Sequence, residues 1–158
     1  MEPAPQPITD LILETFRLNG ALLAAGDRLV DEAGLTSARW QVLGAIFLSP
    51  SPAPVAHLAR NMGLSRQAVQ RLANELLARG MVQMVANPHH QRARLIVMTP
   101  KGRVAYAAAM ERQRPWAEAL AKGVLAEDLA TALRVLRHLR GTLESAPNET
   151  ESPDEEHD

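Results

Sequence analysis

The chain has no cysteine, which removes disulfides, thiol redox chemistry and cysteine-based metal sites together. Aromatic residues are scarce as well: two Trp, two Phe and one Tyr in 158 residues. A core must therefore be built from aliphatic side chains, and the abundance of Ala, Leu and Arg favours helix. No apolar run approaches the roughly 20 residues that a membrane-spanning helix needs. The stretch Met1 to Pro7 is acidic and proline-rich, unlike a basic and apolar secretion signal, so a cytoplasmic protein without a membrane partner is expected. A glycine-rich phosphate loop, a Gly-x-Ser-x-Gly nucleophile elbow and an acid pair in apolar surroundings are also missing. Ser65, for instance, stands in Leu-Ser-Arg. No catalytic residue is assigned, and the chain does not read as an enzyme. Its five histidines are scattered: His57 and His138 on separate expected helices, His89 and His90 side by side in a turn, His157 near the end. None has metal-ligand spacing, so neither a metal nor another cofactor is expected.

Acidic residues are missing from one long stretch. The formal net charge of −1 hides this segregation. Between Thr36 and Arg103 there are nine basic residues and a single acid, Glu75. From Glu144 to Asp158 there are seven acids and no Lys or Arg. A basic block of this kind attracts phosphates and makes binding salt-dependent.

Inside that block lies Val55-Ala56-His57-Leu58-Ala59-Arg60-Asn61-Met62-Gly63-Leu64-Ser65-Arg66-Gln67-Ala68-Val69-Gln70-Arg71-Leu72. It reads as a short helix, a tight turn and a capped second helix. Ala59 is small where two helices cross, Gly63 suits a positive φ, and Ser65 can accept from the first free amides of the next helix. In that helix Val69, Leu72, Ala73 and Leu76 recur at helical spacing and point inward. Arg66, Gln67, Gln70, Arg71 and Asn74 share the opposite face. Those side-chain types read base edges in the major groove, which makes this a helix-turn-helix that binds double-stranded DNA. An ordinary solvated face is the alternative, but surface helices mix both signs of charge, and here the first acid is Glu75.

The rest of the chain fits around this unit. Met1 to Pro7 is expected to be disordered. A helix of about residues 9–32 ends at Gly34, and Thr36 or Ser37 caps a second helix. After the recognition helix and Gly80, residues 81–86 and 94–99 read as two strands around the polar turn Asn87-Pro88-His89-His90-Gln91, a β-hairpin wing. Arg92 and Arg94, two apart, would share one face of the returning strand. Thr99 and Pro100 open a helix that runs through Tyr106, Met110 and Trp116 to about Lys122, and Pro115 should kink it or end it early. A last helix, about residues 127–143, carries Leu129, Leu133, Leu136, Leu139 and Leu143 at spacings of three and four. That stripe, with Leu11 and Ile12 of the first helix, is best explained by packing across a homodimer. Residues 144–158 form an acidic tail that is expected to be disordered. The fold class is mainly α with a small β-hairpin wing.

The order of these elements, and the strings Gly34-Leu35-Thr36-Ser37-Ala38-Arg39-Trp40-Gln41-Val42-Leu43 and Leu95-Ile96-Val97-Met98-Thr99-Pro100-Lys101-Gly102 on either side of the DNA-binding unit, resemble the MarR (multiple antibiotic resistance regulator) family. The resemblance covers about residues 8–143. It implies a winged helix over about residues 36–100 and dimerisation helices over about residues 8–33 and 101–143. It further implies a pseudo-palindromic operator, repression, and release by a small aromatic or anionic ligand. The family's ligand pocket lies where the dimer helices meet the winged domain. Phe16, Arg17, Trp40, Leu43, Phe47 and Met110 are the candidates for it. Trp40 and Phe47 also suit a plain core role, and Arg17 can pair with a neighbouring acid as readily as with a ligand carboxylate. The chain departs from the family at the wing tip. The usual Asp-x-Arg-Asp-x-Arg becomes Asn87-Pro88-His89-His90-Gln91-Arg92, so only Arg92 matches and His89 puts an imidazole where the family has a permanent charge. Two other functions remain open at this point: a ligand-independent architectural DNA binder, and a dimeric protein-interaction module.

Overall fold

The computed structural model describes residues 6–146, divided into two compact units between Ala117 and Glu118. The first unit begins with α1 (Pro7–Val30). Pro7, expected to be disordered, starts this helix; its missing N–H would have no partner in a first turn anyway. Gln6 precedes it as the N-cap, and residues 1–5 of the N-terminus expected to be disordered lie outside the described residues. A 3₁₀ turn (Asp31–Ala33) follows and stops at Gly34. Thr36 then caps α2 (Ser37–Leu48), its hydroxyl accepting from the Arg39 N–H at 3.3 Å. Ser37 turns inward instead. Its hydroxyl donates to the Leu23 carbonyl at 2.7 Å and its N–H donates to the Asp27 carboxylate at 2.7 Å, fastening α2 to α1.

The helix-turn-helix comprises α3 (Val55–Met62) and α4 (Arg66–Ala78). Gly63 joins them at φ 65°, a left-handed conformation that a side chain would strain. Ser65 caps α4 by accepting from the Ala68 N–H at 3.1 Å. The wing is an antiparallel pair, β1 (Val82–Val85) and β2 (Leu95–Met98), in register from Val82 opposite Met98 to Val85 opposite Leu95. Ala53, from the proline-rich loop ahead of α3, forms a further bridge to Ile96, whose N–H donates to the Ala53 carbonyl at 3.0 Å. The last helix of the unit, α5 (Pro100–Leu120), runs past Pro115 rather than ending there.

The core of the first unit is aliphatic. Val30, Leu43, Leu58, Val69, Leu76 and Ile96 are its largest fully buried side chains, with Val42. They come from α1, α2, α3, α4 and β2, so every element of the winged helix shares one interior. The second unit holds the end of α5 and α6 (Ala126–Ser145), in which no residue is buried. Glu144 and Ser145, assigned from sequence to the disordered tail, continue α6, because helical hydrogen bonding carries on past Leu143. Ala146 is the C-cap of α6, and residues 147–158 of the tail lie outside the described residues.

Candidate nucleic-acid interface

The recognition helix divides into two faces. Val69, Leu72, Ala73 and Leu76 are buried. Arg66, Gln67, Gln70, Arg71 and Asn74 line one open surface together with Glu75, Ala78 and Arg79. The separation follows from the 3.6-residue period: the aliphatic row packs on the core, and that packing aims the polar row outward. Along this row Gln70 Nε2 donates to Asn74 Oδ1 at 3.0 Å, and Arg71 Nη1 donates to Glu75 Oε1 at 2.9 Å. Ser65 sits at the head of the helix with its oxygen engaged in the cap.

The wing joins the same surface. Arg66 and Gln70 share a cleft with Arg92, Arg94, Met84 and the start of α3 at Pro54, Val55 and Ala56. Three guanidinium-bearing residues meet there and no acid does, so the cleft is a place where an anionic backbone is favoured. Arg92 and Arg94 do not share a strand face as expected: β2 begins only at Leu95, Arg92 lies in the turn and Arg94 immediately precedes the strand. Asn87 is the reason. Its Oδ1 accepts from the His89 N–H at 3.0 Å and its Nδ2 donates to the Ala93 carbonyl at 2.9 Å, so residues 87–93 are held as a closed turn. The neutral amide is spent on backbone rather than on Arg92. Arg94 reaches across the hairpin, its Nη2 donating to the Met84 carbonyl at 2.8 Å. His89 and Arg92 are exposed at the tip.

Several residues that support this face were not singled out from sequence. Arg39 on α2 donates from Nε to Glu75 Oε2 at 3.0 Å, bridging 36 positions of sequence. Lys101 Nζ donates to the Arg79 carbonyl at 2.7 Å and Thr99 Oγ1 to the Gly80 carbonyl at 2.6 Å, so the start of α5 closes the end of the recognition helix. Neither Lys101 nor Arg39 had a local signal, because their partners lie 22 and 36 positions away in sequence.

The ligand candidates are dispersed by comparison. Leu43 is fully buried in the core. Trp40 is half-buried beside it. Phe47 is 60% exposed and packs on Tyr106, with ring centroids 4.9 Å apart. Burial pushes the Tyr106 phenol above its ordinary value of 10.0. Phe16 and Met110 are exposed, and Arg17 pairs with Glu14 one turn away at 3.4 Å, in solvent. Phe47 lines a cleft, with Ile46, Ile96 and Arg103 among its neighbours. Among the proposed dimer residues Leu11 and Leu139 are half-buried, while Ile12, Leu129, Leu133 and Leu136 are exposed. Among the described residues no group of three or more His, Asp or Glu is placed to hold a metal ion, and no helix is long and apolar enough to cross a membrane.

A helix-turn-helix with a basic polar face, a two-stranded wing and long flanking helices is what comparison with known proteins also finds. The model of the MarR family matches residues 33–93, and solved MarR-family structures share the fold. The chain belongs to the MarR family. It is therefore a DNA-binding transcriptional regulator in its broad role. It is 37% identical over 105 residues to an uncharacterized protein of Mycobacterium tuberculosis, covering 66% of this chain and 72% of that one. It is 34% identical over 96 residues to the transcriptional activatory protein BadR of Rhodopseudomonas palustris, covering 59% of this chain and 54% of BadR. The Mycobacterium tuberculosis transcriptional regulator MosR, crystallised with DNA, superposes with a TM-score of 0.70 at 26% identity, covering 84% of this chain and 96% of that one. PcaV of Streptomyces coelicolor, crystallised with its natural ligand, superposes with a TM-score of 0.76 at 20% identity, covering 89% and 99%, and shows the shared fold.

Proposed function

We infer that this MarR-family chain works as a homodimeric repressor that reads a pseudo-palindromic operator and lets go when a small aromatic or anionic ligand binds. The observation that carries the reading is the single exposed face on which Arg66, Gln67, Gln70, Arg71 and Asn74 are gathered, continuous with the cleft holding Arg92 and Arg94. Arg pairs with guanine and Gln or Asn with adenine through two hydrogen bonds each, worth about 1–3 kcal/mol of base discrimination per contact. A two-fold dimer would present two such faces to half-sites about 10 base pairs apart. The DNA complex of MosR, at 26% identity, supports DNA as the partner.

Homodimerisation is supported by the apolar residues left exposed on α1 and α6, Ile12, Leu129, Leu133 and Leu136 among them. In this reading residues 36–100 are the reading head and the flanking helices join the two copies. Ligand control is supported by PcaV, a fold relative crystallised with its natural ligand. Phe16, Arg17, Trp40, Phe47 and Met110 are accessible enough to meet such a ligand, whereas Leu43 serves it only as floor. BadR is named as an activator, which favours activation as the second reading; both use the same DNA face.

The test combines three measurements. Arg66→Ala with Arg71→Ala should abolish preference for a duplex that the wild-type protein enriches from a randomised library; retained preference refutes the recognition-helix assignment. Leu133→Asp with Leu136→Asp should give monomers by light scattering, since a buried interface does not accept unpaired charge. A Trp116→Phe variant leaves Trp40 as the only Trp. Its fluorescence should be quenched by aromatic acids that also release DNA. Silence across a broad panel favours the architectural alternative.

A further inference from the structure

Glu75 breaks the pattern of its surroundings. It is the only acid between Thr36 and Arg103, it stands on the helix that faces DNA, and it lines the same open surface as the base-reading candidates. An acid there opposes phosphate, so its presence calls for a compensating role. The carboxylate is held from both sides. Oε2 accepts from Arg39 Nε at 3.0 Å and Oε1 accepts from Arg71 Nη1 at 2.9 Å. The three side chains grade from inside to outside: Arg39 is 17% exposed, Glu75 30% and Arg71 69%. Arg39, rooted on α2, therefore fixes the carboxylate, and the carboxylate fixes only one nitrogen of Arg71. Among the described residues the Arg71 guanidinium makes no other hydrogen bond, so its remaining N–H groups are left to solvent or a ligand.

We propose that Glu75 is a specificity-determining positioning residue: anchored by Arg39, it holds the Arg71 guanidinium in the orientation that reads a base, and in doing so suppresses non-specific phosphate binding. The proposal rests on the recognition-helix reading above. An unrestrained arginine on a basic surface finds phosphates as readily as bases, and phosphate contacts carry no sequence information. Clamping one nitrogen leaves the planar fork pre-organised for the O6 and N7 of guanine, so less side-chain freedom is lost on contact. The charge of Glu75 offsets one guanidinium, so the paired Arg71 adds little to the salt-dependent, sequence-independent attraction.

The test is a cycle of four proteins: wild type, Glu75→Gln, Arg71→Ala and the double variant. Each is titrated with two duplexes, one enriched by the wild-type protein from a randomised library and one of shuffled sequence. Glu75→Gln should bind the shuffled duplex more tightly with a steeper salt dependence. Its ratio of enriched to shuffled affinity should fall by roughly fivefold or more, the scale of coupling between contacting residues. In the Arg71→Ala background Glu75→Gln should lower that ratio no further. Glu75→Asp keeps the charge beside Arg39 but draws the carboxylate back by one methylene, and it should lose the ratio as well; it carries the test if Glu75→Gln melts too early to assay. A merely structural Glu75 would lower both affinities together and add to Arg71→Ala, which overturns the proposal. If Arg71→Ala keeps the wild-type ratio, the base-reading role of Arg71 fails, and the proposal fails with it by a separate route. If Arg71→Ala loses the ratio and neither Glu75 variant does, the positioning role alone is refuted.

Discussion

Replacing Gly102 by alanine should be among the most damaging single-methyl changes in this chain. Gly102 is buried in the first turn of α5, where the helix lies directly on the start of the wing. A Cβ there would overlap the Met81 carbonyl oxygen, reach within 2.9 Å of the Met81 carbonyl carbon, and meet Met98 Cγ at 2.8 Å. Met98 has a flexible side chain and can turn aside. The Met81 backbone cannot move freely, because its carbonyl accepts from the Thr99 N–H at 3.0 Å and its N–H donates to the Leu76 carbonyl at 3.0 Å. Either α5 lifts from the wing or those bonds stretch. Overpacking of this kind costs about 1–3 kcal/mol, and a lost backbone hydrogen bond adds about 1. A total near 3 kcal/mol should lower Tm by about 6–12 °C in a chain of this size.

The assay is a thermal melt followed by circular dichroism at matched protein concentration, since association shifts Tm by mass action. Gly20→Ala is the control: it lies inside α1 with nothing within 4 Å of the new Cβ, and helix propensity alone should raise stability by about 0.5–1 kcal/mol. The lesion should also reach DNA binding below the melt. Lys101 and Thr99, which close the last turn of the recognition helix, sit in the displaced segment. A Gly102→Ala protein that melts within about 2 °C of wild type would refute the reasoning, because the overlap is with backbone and has no inexpensive escape.

Three further outcomes are expected. Ser65→Ala removes the oxygen that accepts from the Ala68 N–H and should cost about 1 kcal/mol in urea unfolding, with Ser65→Gly closer to wild type. Tyr106→Phe should flatten the alkaline limb of the stability profile. Burial raises the Tyr106 phenol above 10.0, so its contribution is intact below the unfolded value and is lost as pH climbs above it, because the unfolded tyrosine then ionises while the folded one stays protonated. Removing the residues after Ala146, most of the seven-acid tail, should tighten non-specific DNA binding at low salt. The gain should vanish as the Debye length falls below about 8–10 Å; equal affinity at every salt concentration would leave the tail a solubilising role only.

What could be read from sequence was what local chemistry decides. Ser65 and Thr99 cap the helices they were expected to cap, and of the two candidates Thr36 and Ser37 it is Thr36 that caps α2, since capping depends on the next three residues. The inward row of the recognition helix, Val69, Leu72, Ala73 and Leu76, is buried as its period required. Misreadings arose where a distant partner decides. Alternation counted from the turn puts Arg92 and Arg94 on one strand face. The Asn87 amide instead closes residues 87–93 on themselves and delays the strand to Leu95. The bridge between Ala53 and Ile96 and the ion pair between Arg39 and Glu75 join positions with no shared period. Even so, Glu75 was visible as an anomaly, the one acid in a basic block, before its partners were known. A residue that violates the pattern around it has to be held there by a contact the pattern does not encode, and here that contact runs from Arg39 on α2 to Arg71 on the open polar face.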